Sequence, residues 1–264
     1  MSASLDKKRH LELGGTRNIR DLGGYQTVDG RTTRWKTMIR ADNLEKLTPD
    51  GQRALVDYGV RTVIDLRQTV PMLRSPNPFS GSDDVRYTHQ NLIGDIPVGE
   101  MAHASPEILK AFQQIESLEG PEWTKQSYCI WLDFRKGQFY ETLATLATPS
   151  ALPALFHCNG GKDRTGLIAA LVLGLAGVPN KTIVEDYAIT GKYLLSRHIA
   201  SEAELGINVS DMKWQEYRDL ACPPKVMEGT LCHIEQQYGS VEQYAIAVGL
   251  SGGQIASIRE SIVE

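Results

Sequence analysis

The sequence lacks the features that mark several large classes of protein. It has no apolar run of about 18 residues, which a membrane-spanning helix needs. Its net charge of −4 argues against nucleic acid as a partner. Residues 1–10 are polar and charged, without the apolar stretch of a secretory signal. We therefore expect a cytoplasmic protein with no membrane span, while export by an unusual route stays open.

Cysteine is also scarce, and no metal-binding pattern is visible. The four cysteines stand at positions 129, 158, 222 and 232, and none forms a Cys-x-x-Cys pair. The six histidines do not cluster with them at metal-ligand spacing. We expect reduced thiols, as in a reducing cytoplasm, and neither a metal nor another cofactor.

The length and the order of apolar segments predict the fold class. A chain of 264 residues with 41% hydrophobic residues fits a single domain over residues 1–264, with 1–12 as a loose or clasping arm. Strand signals alternate with helix signals, which indicates an α/β fold of three αβα layers around a small, mostly parallel sheet. The strand signals lie at 37–40, 61–65, 85–89 and 153–157. Helix signals cover 48–58, 121–147, 182–190, 192–204, 224–237, 240–247 and 251–262.

The C-terminal half is predicted to be rich in helices. Residues 192–221, which include Tyr193, Trp214 and Tyr217, could form a helical cover over a site or simply pack on the sheet for stability. Residues 71–82 are rich in Pro, Ser and Gly and predict a mobile surface loop.

Residues 157–166 read His-Cys-Asn-Gly-Gly-Lys-Asp-Arg-Thr-Gly and say most about function. The short apolar segment 154–156 precedes them and the long apolar segment 167–173 follows, which predicts a strand, a tight loop and a helix. Gly160 and Gly161 permit positive φ angles. Such a loop turns its backbone N–H groups inward in front of a helix N-terminus. The pattern is typical of a phosphate-binding loop between a central strand and a helix.

Cys158 is the predicted nucleophile. The amides of residues 159–164, the helix N-terminus and the guanidinium of Arg164 all favour its thiolate form. The planar fork of Arg164 can hold two phosphoryl oxygens, and the hydroxyl of Thr165 can donate to the sulfur. His157 is expected to orient the loop, because an ionised thiol needs no base. The expected substrate-binding residues are His157, Asn159, Gly160, Gly161, Lys162 and Thr165.

These residues resemble a known family. His-Cys-x5-Arg-Thr is similar to the signature of cysteine-dependent phosphatases, the protein tyrosine and dual-specificity group. The fuller His-Cys-x-x-Gly-Lys-Asp-Arg-Thr-Gly resembles bacterial tyrosine phosphatases that also accept phosphoinositides. Similar segments lie at residues 18–25, 40–42, 63–67 and 238–251, so the resemblance spans nearly the whole chain.

The resemblance implies an activity. It is that of a metal-independent protein tyrosine phosphatase that forms a phosphocysteine intermediate and is inhibited by phosphate and vanadate-type oxyanions. Phosphotyrosine proteins are the first expected substrates. The alternatives are phosphoinositides or inositol phosphates, and dual specificity for Tyr and Ser/Thr.

Two aspartates compete for the role of general acid. Asp95 follows the strand-like segment 85–89, where the resemblance places the acid loop, although Gly94-Asp95 can also be only a turn. Asp163 lies within the loop, where it can either hold Arg164 by a salt bridge or meet the leaving group directly. Lys162 adds positive charge at the rim, which favours acidic substrates such as inositol lipids, unless it is a solvated loop lysine.

Two other functions compete with this interpretation. A catalytically inactive phosphate-binding module would usually lack the cysteine or the arginine, and both are present. A sulfur- or arsenate-handling enzyme would use the same thiolate, but the sequence shows no resolving cysteine close by.

Overall fold

The computed structural model describes residues 3–95 and 105–264. Five strands form one sheet in the order β1-β2-β5-β3-β4. β1 pairs antiparallel with β2, and all other pairs are parallel. β5 therefore lies at the centre, which confirms the predicted α/β class with a small, mostly parallel sheet. The strands are β1 Arg20–Asp21, β2 Met38–Ala41, β3 Thr62–Asp65, β4 Arg86–His89 and β5 Ala154–His157.

Both faces of the sheet are buried, each in its own hydrophobic core. Successive side chains on a strand point to opposite faces. On the central strands, neighbouring residues enter two different hydrophobic cores. One core holds Ile39, Val63 and Leu155, and the other holds Met38, Ile64 and Phe156. Strands buried on both faces read as continuous apolar runs, as in 154–156.

Thirteen α-helices lie in the described residues, and seven of them follow β5, so the predicted helix-rich C-terminal half is confirmed. No helix among them is long and apolar enough to cross a membrane. The helices are α1 Ala3–Arg9, α2 Pro49–Tyr58, α3 Thr69–Arg74, α4 Pro106–Gln114, α5 Gly120–Phe134, α6 Lys136–Leu146, α7 Asp163–Leu175, α8 Asn180–Ala188, α9 Thr190–Glu204, α10 Trp214–Ala221, α11 Pro224–Tyr238, α12 Val241–Ala247 and α13 Gly252–Ile262.

Two local predictions were wrong. The helix over 121–147 is broken at Arg135, whose backbone (φ −116°, ψ 31°) ends α5 and starts α6. The surface loop over 71–82 begins inside α3, and two of its residues, Asn77 and Phe79, are buried. The buried pair shows that this segment belongs to the packing around β5.

The N-terminal arm contacts the first turn of the fold. Arg9 is buried and donates from Nε to the carbonyl of Gly23 (2.8 Å) and from Nη2 to that of Gly24 (2.9 Å). Its guanidinium also lies 3.7 Å from the centre of the Tyr25 ring. Residues 1–12 therefore include a short helix, α1, whose last residue clasps the turn after β1.

Candidate active site

The loop 158–162 joins the carboxyl end of β5 to the N-terminus of α7. Open parallel sheets bind ligands at this edge. α7 is apolar and buried along most of its length, so packing fixes the direction of its axis. Its N-terminal N–H groups, with Arg164 and Thr165 in the first turn, lie at the loop and favour an anion there.

The carbonyls of the loop are bound on its outer side. Asn18 donates from Nδ2 to the carbonyls of Gly160 (2.9 Å) and Gly161 (3.2 Å). The backbone N–H of Asn43 donates to the carbonyl of Asn159 (2.9 Å). In a trans peptide the N–H points away from the C=O. Because the carbonyls point outward, the N–H groups of the same peptides turn toward the inside of the loop.

Gly161 makes this turn possible. Its φ is +64°, and a Cβ at this position would lie 2.5 Å from the carbonyl oxygen of Ala41. Only glycine tolerates both the angle and the close approach. Of the two glycines that permit a positive φ, Gly161 adopts one and Gly160 does not, and a Cβ at Gly160 would meet Leu194 at a normal 3.7 Å.

A buried charge cluster lies behind the loop. Asp186 of α8 accepts from Arg20 Nε (2.9 Å), from the hydroxyl of Tyr25 (2.9 Å) and, through a short contact, from Arg40. Burial alone would raise the pKa of Asp186, but the two guanidinium groups outweigh it and lower that pKa strongly. Two cations against one carboxylate leave net positive charge behind the anion site.

This cluster is connected to the loop by hydrogen bonds. Arg40 donates from Nη2 to the carbonyl of Gly161 (2.7 Å), and Arg20 donates from Nη1 to Oδ1 of Asn18 (2.5 Å). Asn18 and Arg40 belong to segments that carried the family resemblance, but the sequence alone did not predict them as loop supports. Asp186 had no sequence signal at all.

Cys158 is 1% exposed and follows directly after β5. The side chain of Arg164 is part-buried, and its Nη1 lies 3.5 Å from the carbonyl of Leu66, after β3. Thr165 is fully buried, and its Oγ1 has no hydrogen-bond partner among residues 3–95 and 105–264. An unpaired buried hydroxyl costs stability, which makes it a candidate donor to a group that the site binds or forms.

His157 is held as a neutral imidazole. The amide nitrogen of Asn77 can only donate, and Oδ1 of Asn77 accepts from the N–H of Phe79 (2.9 Å), which fixes the orientation of the amide. His157 Nε2 therefore accepts from Asn77 (2.8 Å), and Nδ1 donates to the carbonyl of Cys158 (3.1 Å). Burial lowers the pKa of His157. Asn77 was missed in the sequence because it stands in an apparent surface loop.

Asp163 has partners other than the predicted one. Tyr128 donates its hydroxyl to Oδ1 of Asp163 (2.5 Å), and Lys162 Nζ lies 3.4 Å from the same oxygen. Within the described ranges Asp163 forms no ion pair with Arg164, so the first of the two alternatives for Asp163, a salt bridge to Arg164, is not observed. Lys162 Nζ also donates to the carbonyl of Ala221 (2.9 Å) at the end of α10.

Asp95 lies outside the hydrogen-bond network of the loop, as far as the described residues show. Its Oδ1 accepts from the N–H of Thr69 (2.7 Å) and from Asn91 Nδ2 (2.8 Å). Desolvation would raise the pKa of Asp95, but the hydrogen bonds from Thr69 and Asn91 outweigh it and lower that pKa. In this arrangement Asp95 is an ionised carboxylate at the start of α3.

The segment 192–221 lies against the loop. Leu194 of α9 faces Gly160, and Ala221 of α10 accepts from Lys162. α9 and α10 are joined by stacked rings of His198 and Tyr217, whose centres are 4.4 Å apart. Among the described residues, no group of three or more His, Cys, Asp or Glu side chains could hold a metal ion.

Comparison with known proteins agrees with this geometry. The model of the "Tyrosine phosphatase family" matches residues 11–264. A "Tyrosine-protein phosphatase" of Nostoc commune is 30% identical over 84% of this chain and 72% of its own length. The "Triple specificity protein phosphatase PtpB" of Mycobacterium tuberculosis is 25% identical over 94% of this chain and 97% of its own length. The family match covers the ten-residue motif 157–166 and the segments that support the loop, and the chain belongs to the tyrosine phosphatase family.

Proposed function

We propose that the chain is a protein tyrosine phosphatase that hydrolyses phosphotyrosine through a phosphocysteine on Cys158. The single observation that carries this proposal is the loop itself. Its carbonyls are bound outward, so its N–H groups and the N-terminus of α7 converge beside a cysteine. Membership of the tyrosine phosphatase family supports the same activity.

The reaction needs two displacements at phosphorus. The thiolate of Cys158 attacks the phosphoryl group, an S–P bond forms, and the P–O bond to the tyrosine breaks. The phenolate leaves with a proton from a carboxylic acid. Water then attacks the phosphocysteine, the S–P bond breaks, and inorganic phosphate and the thiolate are released.

Arg164 and Thr165 have distinct roles in these steps. The guanidinium of Arg164 binds two equatorial phosphoryl oxygens and stabilises the transition state, as the backbone N–H groups also do. The hydroxyl of Thr165, which is buried and unpaired within the described ranges, donates to the sulfur when it carries negative charge. His157 positions the backbone at Cys158 and transfers no proton.

Asp163 is the better placed general acid. It is the first residue of α7, directly after the loop, and its side chain is about one-third exposed (34%), so it can meet a leaving group. Asp95 is the second candidate, because the hydrogen bonds from Thr69 and Asn91 stabilise its ionised form. Tyr128 and Lys162 stabilise the ionised form of Asp163 in the same way, so the position of Asp163 directly after the loop decides between the two candidates.

A broader substrate range is the second candidate function. The likeness to a phosphatase named for triple specificity favours it. For this chain, the broader range would comprise the alternatives named from the sequence, which are phosphoserine and phosphothreonine, or phosphoinositides and inositol phosphates. Lys162 does not argue for lipids, because its ammonium is bound to Ala221 and Asp163. Phosphotyrosine is therefore the first proposed substrate, ahead of the broader range.

Two further expectations belong to this proposal. Residues 1–264 act as one phosphatase domain, supported by main-chain hydrogen bonds that join Thr32 to Glu264 in both directions. The protein works in a reducing compartment, the cytoplasm, because the mechanism requires a reduced Cys158; all four cysteines are free.

The test is hydrolysis of p-nitrophenyl phosphate and of a phosphotyrosine peptide, with phosphoserine peptide and inositol phosphates beside them. We expect turnover that is insensitive to chelators and blocked by vanadate or high phosphate. Cys158→Ser should abolish turnover and still bind vanadate. Turnover by Cys158→Ser, or a requirement for a metal ion, would refute the proposal.

A further inference from the structure

Two buried tyrosines form a chain of hydrogen bonds that ends on the carboxylate of Asp163. Tyr128 of α5 donates its hydroxyl to Oδ1 of Asp163 (2.5 Å), and the hydroxyl oxygens of Tyr128 and of Tyr187 on α8 are 3.2 Å apart. Tyr128 is 0% exposed and Tyr187 is 1% exposed. The carboxylate is therefore bound from the protein interior, although its own side chain is one-third exposed.

The direction of these hydrogen bonds is fixed by the carboxylate. An ionised carboxylate can only accept, so the single hydroxyl proton of Tyr128 goes to Asp163. Tyr128 then has only lone pairs left for its neighbour, so Tyr187 donates to Tyr128. Each hydrogen bond in such a chain polarises the next one. The bond to Asp163 is therefore strengthened by Tyr187, whose own hydrogen bond goes to Tyr128.

Packing fixes the rings of both tyrosines. They meet edge to face with their centres 6.3 Å apart, and the Tyr128 ring also stacks on Trp131 of the same helix (5.7 Å). A Cβ at Gly166, in the first turn of α7, would lie 3.1 Å from the Tyr187 ring. The last glycine of the motif therefore allows α7, which begins at Asp163, to pack closely against these tyrosines.

Both tyrosine hydroxyls keep their protons over the pH range of the reaction. Burial, followed by the neighbouring carboxylate of Asp163, raises the pKa of Tyr128 well above its ordinary value, and the same two causes raise the pKa of Tyr187. A further titratable group near Asp163 is the thiol of Cys222, whose pKa burial raises to about 11. These groups therefore do not change charge while the acid works, and the tyrosines act on it only as fixed donors.

The two oxygens of Asp163 are not equivalent. Oδ1 accepts from Tyr128 and lies 3.4 Å from the ammonium of Lys162. Over residues 3–95 and 105–264, no hydrogen bond reaches Oδ2. A proton on this carboxyl group therefore sits on Oδ2, the oxygen that is left for a leaving group. The hydroxyl and the ammonium at Oδ1 stabilise the carboxylate that remains after the proton has been transferred.

We propose that Tyr128 is the positioning residue of the general acid, which presents the proton on Oδ2 of Asp163 to the leaving phenolate, and that Tyr187 supports it through the shared hydrogen bond. The inference rests on the proposed phosphatase function, with Asp163 as the acid. As the sulfur of Cys158 forms its bond to phosphorus, the P–O bond to the tyrosine of the substrate breaks. The Oδ2–H bond breaks with it, and the proton goes to the phenolate oxygen. Tyr128 keeps its own proton throughout.

The test is the pH dependence of kcat/KM for a phosphotyrosine peptide, because the alkaline limb of this profile reports the loss of the acid's proton. The midpoint of that limb does not depend on the fraction of active protein. In Tyr128→Phe the carboxylate of Asp163 loses a donor, which water replaces only in part. We therefore expect the midpoint to move to higher pH by about half to one unit. The maximum of kcat/KM should fall by about three- to tenfold, because Oδ2 is no longer held in position.

Two further variants separate positioning from a structural role. Tyr187→Phe removes only the second hydroxyl of the chain, so it should move the midpoint in the same direction by a smaller amount. Tyr128→Phe combined with Asp163→Asn should have the same kcat/KM as Asp163→Asn alone, because Tyr128 acts only through Asp163. The matched control is Tyr244→Phe, which removes an equally buried hydroxyl that donates to the carbonyl of Leu132, also on α5 (3.0 Å). Its midpoint should stay at the wild-type value.

Three results would overturn the proposal. A wild-type midpoint in Tyr128→Phe leaves this tyrosine with a structural role only, whatever the rate. If Tyr128→Phe does not fold, a wild-type midpoint in Tyr187→Phe has the same meaning. A loss from Tyr128→Phe that persists in the Asp163→Asn background shows that Tyr128 does not act through Asp163. These results leave the phosphatase function standing as long as the wild type hydrolyses p-nitrophenyl phosphate, whereas no such hydrolysis overturns both proposals.

Discussion

Asp186 binds Arg40 through its Oδ2, and both side chains are buried, at 2% and 0% exposure. The two residues stand 146 positions apart, on α8 and β2. Arg40 in turn donates to the carbonyl of Gly161, so the carboxylate reaches the loop through one guanidinium. The shape of the phosphate loop is thus set from behind, by charges that no substrate touches.

Asp186→Asn tests this support. The change keeps the volume but leaves two buried guanidinium groups without their carboxylate, so we expect a loss of about 3–5 kcal/mol in the free energy of unfolding at pH 7. The pKa of Asp186 is lowered in the folded state, so its contribution is fully present above the unfolded value of about 3.9 and is lost progressively as pH falls from that value toward the lower folded pKa. Urea unfolding at pH 7 and pH 3 measures the difference, which should shrink at pH 3.

A matched control is Asp29→Asn, which breaks an exposed pair with Arg31. It should leave the urea midpoint unchanged. Equal midpoints for Asp186→Asn and wild type at pH 7 would contradict the role of the buried cluster.

Arg164→Lys should lower kcat/KM by about 10³-fold or more, because an ammonium cannot hold two phosphoryl oxygens at once. Steady-state kinetics with p-nitrophenyl phosphate give the value. The control is Arg61→Gln. Arg61 is exposed and directly precedes β3, at the edge of the sheet opposite the loop, so this variant should keep the wild-type rate. A loss below tenfold in Arg164→Lys would mean that this guanidinium does not bind the transferred group.

The general acid is identified by the pH–rate profile. Asp163→Asn should lower kcat and change the dependence of kcat on pH, while Asp95→Asn keeps the wild-type profile. Asp163→Asn should lower kcat less for p-nitrophenyl phosphate, which has a good leaving group, than for a phosphotyrosine peptide. The reverse result for the two variants would assign the role to Asp95, and two unchanged profiles would exclude both.

His157 should make the fold sensitive to mild acid. Burial lowers the pKa of His157 in the folded state. Below the unfolded pKa of about 6.5, His157 is therefore protonated in the unfolded chain and still neutral in the folded one. The free energy of unfolding should therefore fall by up to about 1.4 kcal/mol per pH unit between pH 6.5 and the folded pKa.

Urea unfolding between pH 7.5 and 5.5 measures this slope. In His157→Gln the side chain at position 157 does not titrate in this range, so the slope should be smaller than that of wild type. If both proteins show the same slope, the imidazole is not held neutral in the fold.

The features that could be predicted from the sequence are those formed by residues that are neighbours along the chain. The ten-residue motif 157–166 and the apolar segments on either side of it are contiguous in sequence, and their chemistry could be named without coordinates. The loop pattern indicated a central strand, which is β5, and the helix signal over 48–58 located α2, which begins after Thr48, whose side chain accepts from the N–H of Gly51.

Long-range partners could not be predicted. His157 and Asn77 are 80 positions apart, and Asp186 and Arg20 are 166 apart, so no local pattern links them. The break at Arg135 was missed because neither proline nor glycine stands at that position. Gly160 and Gly161 look alike in sequence, and only the approach of Ala41 distinguishes them.

The outward anchoring of the loop carbonyls has an energetic consequence. Because the loop is held by these hydrogen bonds before a ligand binds, its conformational entropy is lost during folding. Binding of an oxyanion therefore requires little reorganisation of the loop. Free phosphate meets the same preorganised cradle as a substrate does. Inorganic phosphate, the reaction product, should therefore compete with the substrate. In a phosphate-rich solution, turnover should be limited by the dissociation of phosphate from the loop.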